Sequence, residues 1–104
     1  MPKYGFSFRP KARRDGLEIV VHIAKNNFAA AQNFLISLES TCKTIAAMPR
    51  VGSRRSYNNL LLKNMRMVPV KNFKNYLIFY NIGALGIDVV RIIHGARDLP
   101  IHFS

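Results

Sequence analysis

The chain has 104 residues, a length that fits one domain with a single hydrophobic core. Hydrophobic residues make up 49% of it, which argues against general disorder, and no apolar run reaches the ~18 residues that predict a membrane span. Sixteen Lys and Arg face five Asp and Glu, and this net charge of +11 predicts a polyanionic partner: a nucleic acid, a nucleic-acid machine or an acidic protein.

The first third of the chain predicts one strand and the start of a helical pair. Residues 4–9 alternate apolar with small or polar side chains, which indicates a strand. Apolar residues then recur at helical spacing from Pro10 to about Lys25, and proline suits the first position of a helix. Asn27 fits the N-cap of a second helix, which should end before Pro49. Because only two or three residues separate the helices, we expect an antiparallel hairpin.

Each helix carries a stripe of small or apolar residues that predicts its buried face. The stripe of the first helix consists of Ala12, Gly16, Ile19, Val20 and Ile23, and that of the second consists of Ala31, Phe34, Leu35, Leu38, Cys42, Ile45 and Ala46.

The rest of the chain predicts a polar loop over residues 49–59 and then three strands. The first begins near Leu60 and stops at Pro69, and the others cover residues 76–82 and 87–93, with Gly83 and Gly86 marking a hairpin. In the last two strands, both odd and even positions are apolar. We therefore expect these strands to be buried on both faces or to lie at the centre of the sheet. The order β-α-α-β-β-β predicts one α+β domain over residues 1–104, with the helical hairpin packed on one face of an antiparallel sheet.

Chemistry that depends on metals, cofactors or thiols finds little support. One cysteine cannot form a disulfide, and with histidines scattered at 22, 94 and 102 it offers no zinc site. No glycine-rich phosphate loop is present, so we expect neither metal nor cofactor. Cys42 falls on the apolar stripe, which favours burial over a role as nucleophile. The start of the chain lacks an apolar secretion signal, and we therefore expect a cytoplasmic protein.

Several short motifs follow one another along nearly the whole chain. They are Pro10-Lys11-Ala12-Arg13-Arg14-Asp15, then Ala30-Ala31 with Phe34-Leu35, then Met48-Pro49-Arg50-Val51-Gly52, then Met65-Arg66-Met67-Val68-Pro69-Val70, then Tyr76-Leu77-Ile78-Phe79-Tyr80, and finally Val90-Arg91-Ile92-Ile93-His94-Gly95-Ala96-Arg97-Asp98. In this order they resemble the ParE/RelE superfamily of bacterial toxins, and the last motif is the most specific. Gly16 departs from the pattern, because the family usually carries leucine there; glycine leaves either a small gap or a site of close approach.

The resemblance implies the toxic half of a two-gene toxin–antitoxin module. ParE-like members poison DNA gyrase, and RelE-like members cleave messenger RNA on the ribosome. Both are neutralised by an antitoxin whose tail wraps the toxin. The expected partners are therefore an acidic ParD-like antitoxin, in a hetero-oligomer, and DNA gyrase, with no membrane. A third possibility is a binding-only regulator that has lost toxicity.

The polar residues late in the chain favour the gyrase poison over the ribonuclease. A metal-independent ribonuclease needs a base, an acid and cations near one phosphate. If the protein is a ribonuclease, its candidate catalytic residues are Arg66, Arg91, His94 and Arg97. However, Glu39 is the last glutamate, and the chain ends without the terminal tyrosine of RelE-type enzymes. His94 could act as acid or base, or could simply form a hydrogen bond at a strand end.

For a gyrase poison, the residues expected to contact the target are Arg66, Lys71, Arg91, His94 and Arg97. Tyr76 and Tyr80 are predicted to lie on the same face of their strand. They could pack in the core or stack on nucleic-acid bases.

The helices also indicate a surface for the antitoxin. Leu17 and Val21 lie four residues apart on the side of the first helix away from its core stripe, and Ile36 lies off the stripe of the second. Exposed apolar groups in one patch usually mark a partner site, although a wide core arc would give the same pattern. We expect an amphipathic antitoxin helix to pack along the hairpin. Its acidic continuation should meet Arg13, Arg14, Arg54, Arg55 and Arg66.

Overall fold

A computed structural model describes residues 5–54 and 65–97 of the chain. Its elements are β1 (Gly5–Phe8), α1 (Pro10–Ala24), α2 (Phe28–Ala47), a 3-10 helix (Pro49–Val51), β2 (Ser53–Arg54), β3 (Arg66–Val70), β4 (Phe73–Ile82) and β5 (Gly86–His94). Several sequence predictions fall outside the described residues: those for Tyr4, for the polar loop from Arg55 to residue 59, for the start of a strand near Leu60, and for Asp98 and His102.

The five strands form one sheet in the order β1-β5-β4-β3-β2. β4 pairs antiparallel with both β3 and β5, whereas β1 pairs parallel with β5. A parallel pair needs a long crossover connection, and α1 and α2 are part of the chain between β1 and β5. The predicted α+β class and the order of its main elements are therefore confirmed, and the parallel pairing of β1 makes the sheet mixed rather than wholly antiparallel.

The strand boundaries differ from the sequence prediction in several places, among them β2, the end of β3 and the start of β4. Ser53 and Arg54, predicted as loop, pair with Met67 and Arg66 as strand β2. β3 does not stop at Pro69, because a register shift between Pro69 and Val70 accommodates the proline within the pairing. β4 begins at Phe73, three residues earlier than expected, because the positive φ of 67° at Asn72 lets the chain reverse within two residues.

The two helices follow the predicted pattern closely. Pro10 stands in the first turn of α1, and the side chain of Asn27 caps α2 by accepting a hydrogen bond from the Ala30 N–H at 3.0 Å. Both start signals are confirmed. Among the described residues, neither helix has the length and apolar character that crossing a membrane requires.

The buried face of α2 departs from the prediction at one turn. Leu35 is 49% exposed, so its assignment to the core was wrong, and Ser37 and Thr41 are buried instead. The burial of Thr41 is explained by its hydroxyl, which donates to the Ser37 carbonyl at 2.7 Å and accepts the Lys71 N–H at 3.0 Å. Satisfied in this way, a polar side chain can lie inside the core and tie α2 to the turn between β3 and β4.

Cys42 lies fully buried on α2, as predicted. Burial, with a smaller contribution from the charge of Glu39, raises the pKa of the Cys42 thiol to about 12. The thiol therefore stays protonated at neutral pH and packs as a small apolar group.

The core has two parts, one on each face of the sheet. The larger part lies between the helices and the sheet, and it includes Phe34, Ile45, Ile78, Tyr80 and Ile92. The smaller part consists of Met65, Met67, Phe79 and Ile93, with Leu77 and Val90 packed against them. Because successive strand residues point to opposite faces, the apolar character of β4 and β5 at both parities corresponds to burial on both faces, as predicted.

Gly16 leaves a gap in the face of α1 that packs on the sheet. A Cβ atom at this position would lie 3.7 Å from Ile92 Cδ1 and 4.0 Å from Leu38 Cδ2, which are ordinary van der Waals distances. Of the two alternatives that the sequence left open, the structure therefore supports the small gap.

We expect Gly16→Ala to raise the free energy of unfolding by about 1 kcal/mol, because alanine has the higher helix propensity and its methyl group fills the gap. Urea denaturation measures the change. Gly86→Ala is the contrasting variant, since Gly86 has a φ of +143° and a Cβ there would collide with the Gly5 carbonyl. A Gly16→Ala protein less stable than the parent would show that the helix packs more closely than the structure indicates.

Candidate functional site

Asp15 and Arg91 form a largely buried ion pair between α1 and β5. Arg91 Nε donates to one Asp15 oxygen at 2.7 Å and Arg91 Nη2 donates to the other at 3.1 Å, while the Ile92 N–H adds a third bond at 3.0 Å. The two side chains are only 17% and 12% exposed. Arg91, expected at the target surface, thus has its guanidinium engaged by its own chain, and a bidentate pair of this kind fixes geometry strongly.

His94 ends β5 and holds the residues that follow it. Its Nδ1 accepts a hydrogen bond from the Arg97 N–H at 3.1 Å, across residues 95–97, which are helical. The Tyr76 ring meets the His94 ring edge-on at 5.1 Å, and Tyr76 in turn contacts Phe34 of the core at 5.3 Å. The hydrogen-bonding role proposed for His94 is confirmed, and Tyr76 packs against the core.

A polar cleft of about 360 Å³ opens between α1 and the strands at this place. Arg91 and Arg97 line it from the sheet side, and Glu18 and His22 line it from α1. Glu18 and His22 were absent from the sequence prediction, because their helix positions carry no motif that links them to β5. Two guanidinium groups, the Glu18 carboxylate and the His22 imidazole therefore lie around one opening, together with Asp15.

Arg66 lies on β3, away from this cleft, and its side chain binds the turn that follows α2. Its Nη1 donates to the carbonyls of Gly52 at 2.8 Å and Arg50 at 3.2 Å. Tyr80 completes the arrangement, since its hydroxyl donates to the Pro49 carbonyl at 2.7 Å and accepts the Gly52 N–H at 2.9 Å. The segment from Pro49 to Gly52 is thus held by two side chains from the sheet.

Tyr80 and Gly52 fit each other closely. A Cβ at position 52 would lie 2.5 Å from the Tyr80 hydroxyl oxygen, so no larger residue fits without displacing the ring. Burial raises the pKa of Tyr80 above its ordinary value, and the Gly52 hydrogen bond and the nearby Arg66 oppose this shift. The hydroxyl therefore remains a donor at neutral pH. Packing and base stacking were the alternatives for Tyr80, and the structure places it in the core.

Four of the five residues expected to contact the target lie at or near two different ends of the sheet, and Arg91, which pairs with Phe79, lies between those ends. We call the end where β4 passes into β5 the hairpin end, and the end where β3 passes into β4 the turn end. Arg66 pairs with Tyr80 near the hairpin end, while Lys71 and His94 lie at the turn end. Arg97, three residues after β5, lies near His94. The set is therefore not one cluster.

The residues expected to contact the antitoxin are mostly exposed. Leu17, Val21 and Ile36 are 62%, 58% and 67% exposed, which rules out the alternative of a wide core arc for these three. We call them the helix patch. Arg13 and Arg14 on α1 and Arg54 on β2 are exposed as well.

Metal binding finds no support in the described part of the chain. Within residues 5–54 and 65–97, no group of three or more His, Cys, Asp or Glu is placed to hold a metal ion.

Comparisons with known proteins agree with this fold. Residues 6–99 match the family model of the ParE toxin of type II toxin–antitoxin systems, parDE. One chain of a solved structure of the chromosomal ParDE TA system from P. aeruginosa matches with a TM-score of 0.71 and 14% sequence identity, over 90% of this chain and 98% of that one. At this identity the structural match shows a shared fold. No curated protein matches the sequence.

We expect Tyr80→Phe to lower the free energy of unfolding by about 1–3 kcal/mol at neutral pH, because the Gly52 N–H and the Pro49 carbonyl lose a buried partner. Urea denaturation measures the loss. Tyr76→Phe removes the same atom from a ring that packs against Phe34 and His94, and should change stability less.

The contribution of Tyr80 should also depend on pH. Its pKa is higher in the folded protein than the value of about 10 expected when unfolded, so its contribution is complete below about pH 10 and is lost as the pH rises through the folded pKa. The difference between the parent and Tyr80→Phe should therefore shrink above about pH 10. A difference that stays constant through this range would contradict the hydrogen-bonded arrangement.

Proposed function

This chain belongs to the ParE toxin family of type II toxin–antitoxin systems, and from that membership we propose that it binds and poisons DNA gyrase and is neutralised by a cognate antitoxin. The antitoxin is expected to be an acidic, ParD-like protein. The candidate residues for the target contact divide between two places: Arg66 near the hairpin end, and Lys71, His94 and Arg97 at or near the turn end, with Arg91 between them and bound to Asp15.

The main support for a binding mechanism is that three of the groups suited to acid–base catalysis, namely Asp15, Asp88 and Nδ1 of His94, accept hydrogen bonds within the chain. Asp15 accepts three hydrogen bonds from Arg91 and Ile92. Asp88 pairs with Arg9 at 2.7 Å, and His94 Nδ1 accepts from the Arg97 N–H. A catalytic base or acid has to reach the reacting group to exchange a proton with it, and the carboxylate oxygens of Asp15 and Asp88 face arginines of the same chain instead.

One observation favours the ribonuclease alternative. The cleft between α1 and β5 gathers Arg91, Arg97 and His22 around one opening of about 360 Å³. Cations and an imidazole are components of a metal-independent ribonuclease. Asp15, however, pairs with Arg91 within the same cleft, so Arg91 is less able to bind a phosphate.

We expect the purified toxin to inhibit negative supercoiling by DNA gyrase, and we expect addition of the antitoxin to restore it. The measurement is gel separation of plasmid topoisomers across a range of toxin concentrations. If supercoiling continues unchanged while the toxin cleaves messenger RNA in a translating extract, the ribonuclease alternative replaces this proposal. If expression of the toxin without its antitoxin harms neither replication nor translation, the protein is a binding-only regulator.

We expect Leu17→Asp to weaken antitoxin binding by about tenfold or more, because it places a charge in the apolar helix patch, and Val21→Asp should weaken it further. Isothermal titration calorimetry with the antitoxin measures both. Leu85→Asp is the matched control, since it makes the same substitution at an exposed apolar residue between β4 and β5. Equal affinities for Leu17→Asp and Leu85→Asp would remove Leu17 from the interface.

A further inference from the structure

An open groove of about 600 Å³ lies at the hairpin end of the sheet, lined by Met48, Pro49, Arg50, Val51, Ile82 and Gly83. We call it the hairpin-end groove. The side chains of Met48, Val51 and Ile82 are between 46% and 56% exposed. Large apolar side chains that lie together in contact with water usually mark a surface where another molecule binds.

The wall of this groove is held in place before any partner arrives. Tyr80 and Arg66 together bind the carbonyls of Pro49, Arg50 and Gly52 and the Gly52 N–H. The Val51 N–H also donates to the Met48 carbonyl at 3.0 Å. A preformed surface loses little conformational entropy on binding, so more of its contact energy appears as affinity.

Positive charge gathers beside the apolar side chains. Arg54 and Arg66 are direct partners across the antiparallel pair of β2 and β3, an arrangement in which like charges repel and lower stability. Arg50 lines the groove itself, and its carbonyl accepts from Arg66. Positive charge concentrated in this way is complementary to a partner surface that carries carboxylates.

The described carboxylates of the chain do not line this groove. Asp15 is engaged by Arg91, Asp88 by Arg9, and Glu39 by Lys43 at 2.9 Å. Glu18 lines the cleft between α1 and β5. Within the described part of the chain, none of these four lines the hairpin-end groove.

We propose that the hairpin-end groove is the surface through which the toxin contacts its protein target, and that it takes a segment carrying an apolar side chain next to one or more carboxylates. This rests on the proposed function, in which the target is a protein. Methionine and arginine are enriched in protein interfaces, whereas a phosphate backbone is recognised mainly by cations and polar groups. Arg66 is then a positioning residue, and Arg50 and Val51 make the contact.

The test uses four full-length proteins: the parent, Arg50→Glu/Val51→Ser, Lys11→Glu and Lys71→Glu. The first variant alters the groove. Lys11→Glu makes the same change in net charge in the first turn of α1, where a glutamate is favoured by the helix dipole. Lys71→Glu makes it at the turn end. The readouts are growth arrest on expression without antitoxin, and affinities for DNA gyrase holoenzyme, for the antitoxin and for duplex DNA.

We expect Arg50→Glu/Val51→Ser to weaken gyrase binding by about tenfold or more and to abolish growth arrest. Antitoxin affinity should stay within about twofold of the parent, which also shows that the variant folds. Lys11→Glu should behave as the parent does. If the parent arrests growth without binding gyrase, the gyrase proposal fails, but loss of arrest in the groove variant alone still supports the groove as the target surface.

Four results would overturn the inference. The groove variant could arrest growth as strongly as the parent, or Lys71→Glu alone could abolish arrest, which would place the contact at the turn end. The groove variant could instead lose antitoxin or duplex DNA affinity as strongly as it loses toxicity, which would make one of these the occupant. Finally, the parent protein could cause no growth arrest, which would mean that there is no target for the groove to contact.

Discussion

The hydrogen bonds that Asp15 accepts from Arg91 and Ile92 fix the relation between the helical pair and the sheet. Asp15 lies on α1 and its partners lie on β5, 76 and 77 residues further along the chain. A carboxylate that binds both a guanidinium and a neighbouring backbone N–H determines the position of the helix along the strand and also its rotation. With α1 held in this way, Leu17 and Val21 face away from the sheet, and one wall of the polar cleft is defined.

The pairing of carboxylates also accounts for the distribution of charge. Sixteen cationic residues share five carboxylates, and three of those carboxylates are bound by arginine or lysine of the same chain. The cationic residues outnumber the carboxylates by eleven, so an excess of positive charge remains however the other residues pair. This is a costly arrangement for an isolated domain, because like charges repel, and it is reasonable for a protein that functions in contact with acidic molecules.

Local patterns in the sequence were enough to predict the helices, the N-cap at Asn27, the β4–β5 hairpin and the burial of both faces of β4 and β5. Long-range pairings could not be predicted in this way. The parallel pairing of β1 with β5, the Asp15–Arg91 pair and the buried Thr41 all depend on residues distant in sequence, for which one sequence carries no signal. The same reason applies to the candidate site. The sequence identifies the cationic residues, but their positions along the sheet depend on strand register, which a single sequence does not reveal.

The separation of the proposed surfaces bears on how an antitoxin could neutralise the toxin. The helix patch lies on α1 and α2, whereas the hairpin-end groove lies between the turn after α2 and the end of β4. None of the three helix-patch residues lines the groove, so an antitoxin helix that contacts only those residues would not occupy the groove itself. An acidic continuation that reaches Arg54 and Arg66 would meet the same charges that border the groove. Under the proposals made for the two surfaces, neutralisation therefore depends on that continuation, and affinity depends chiefly on the apolar helix.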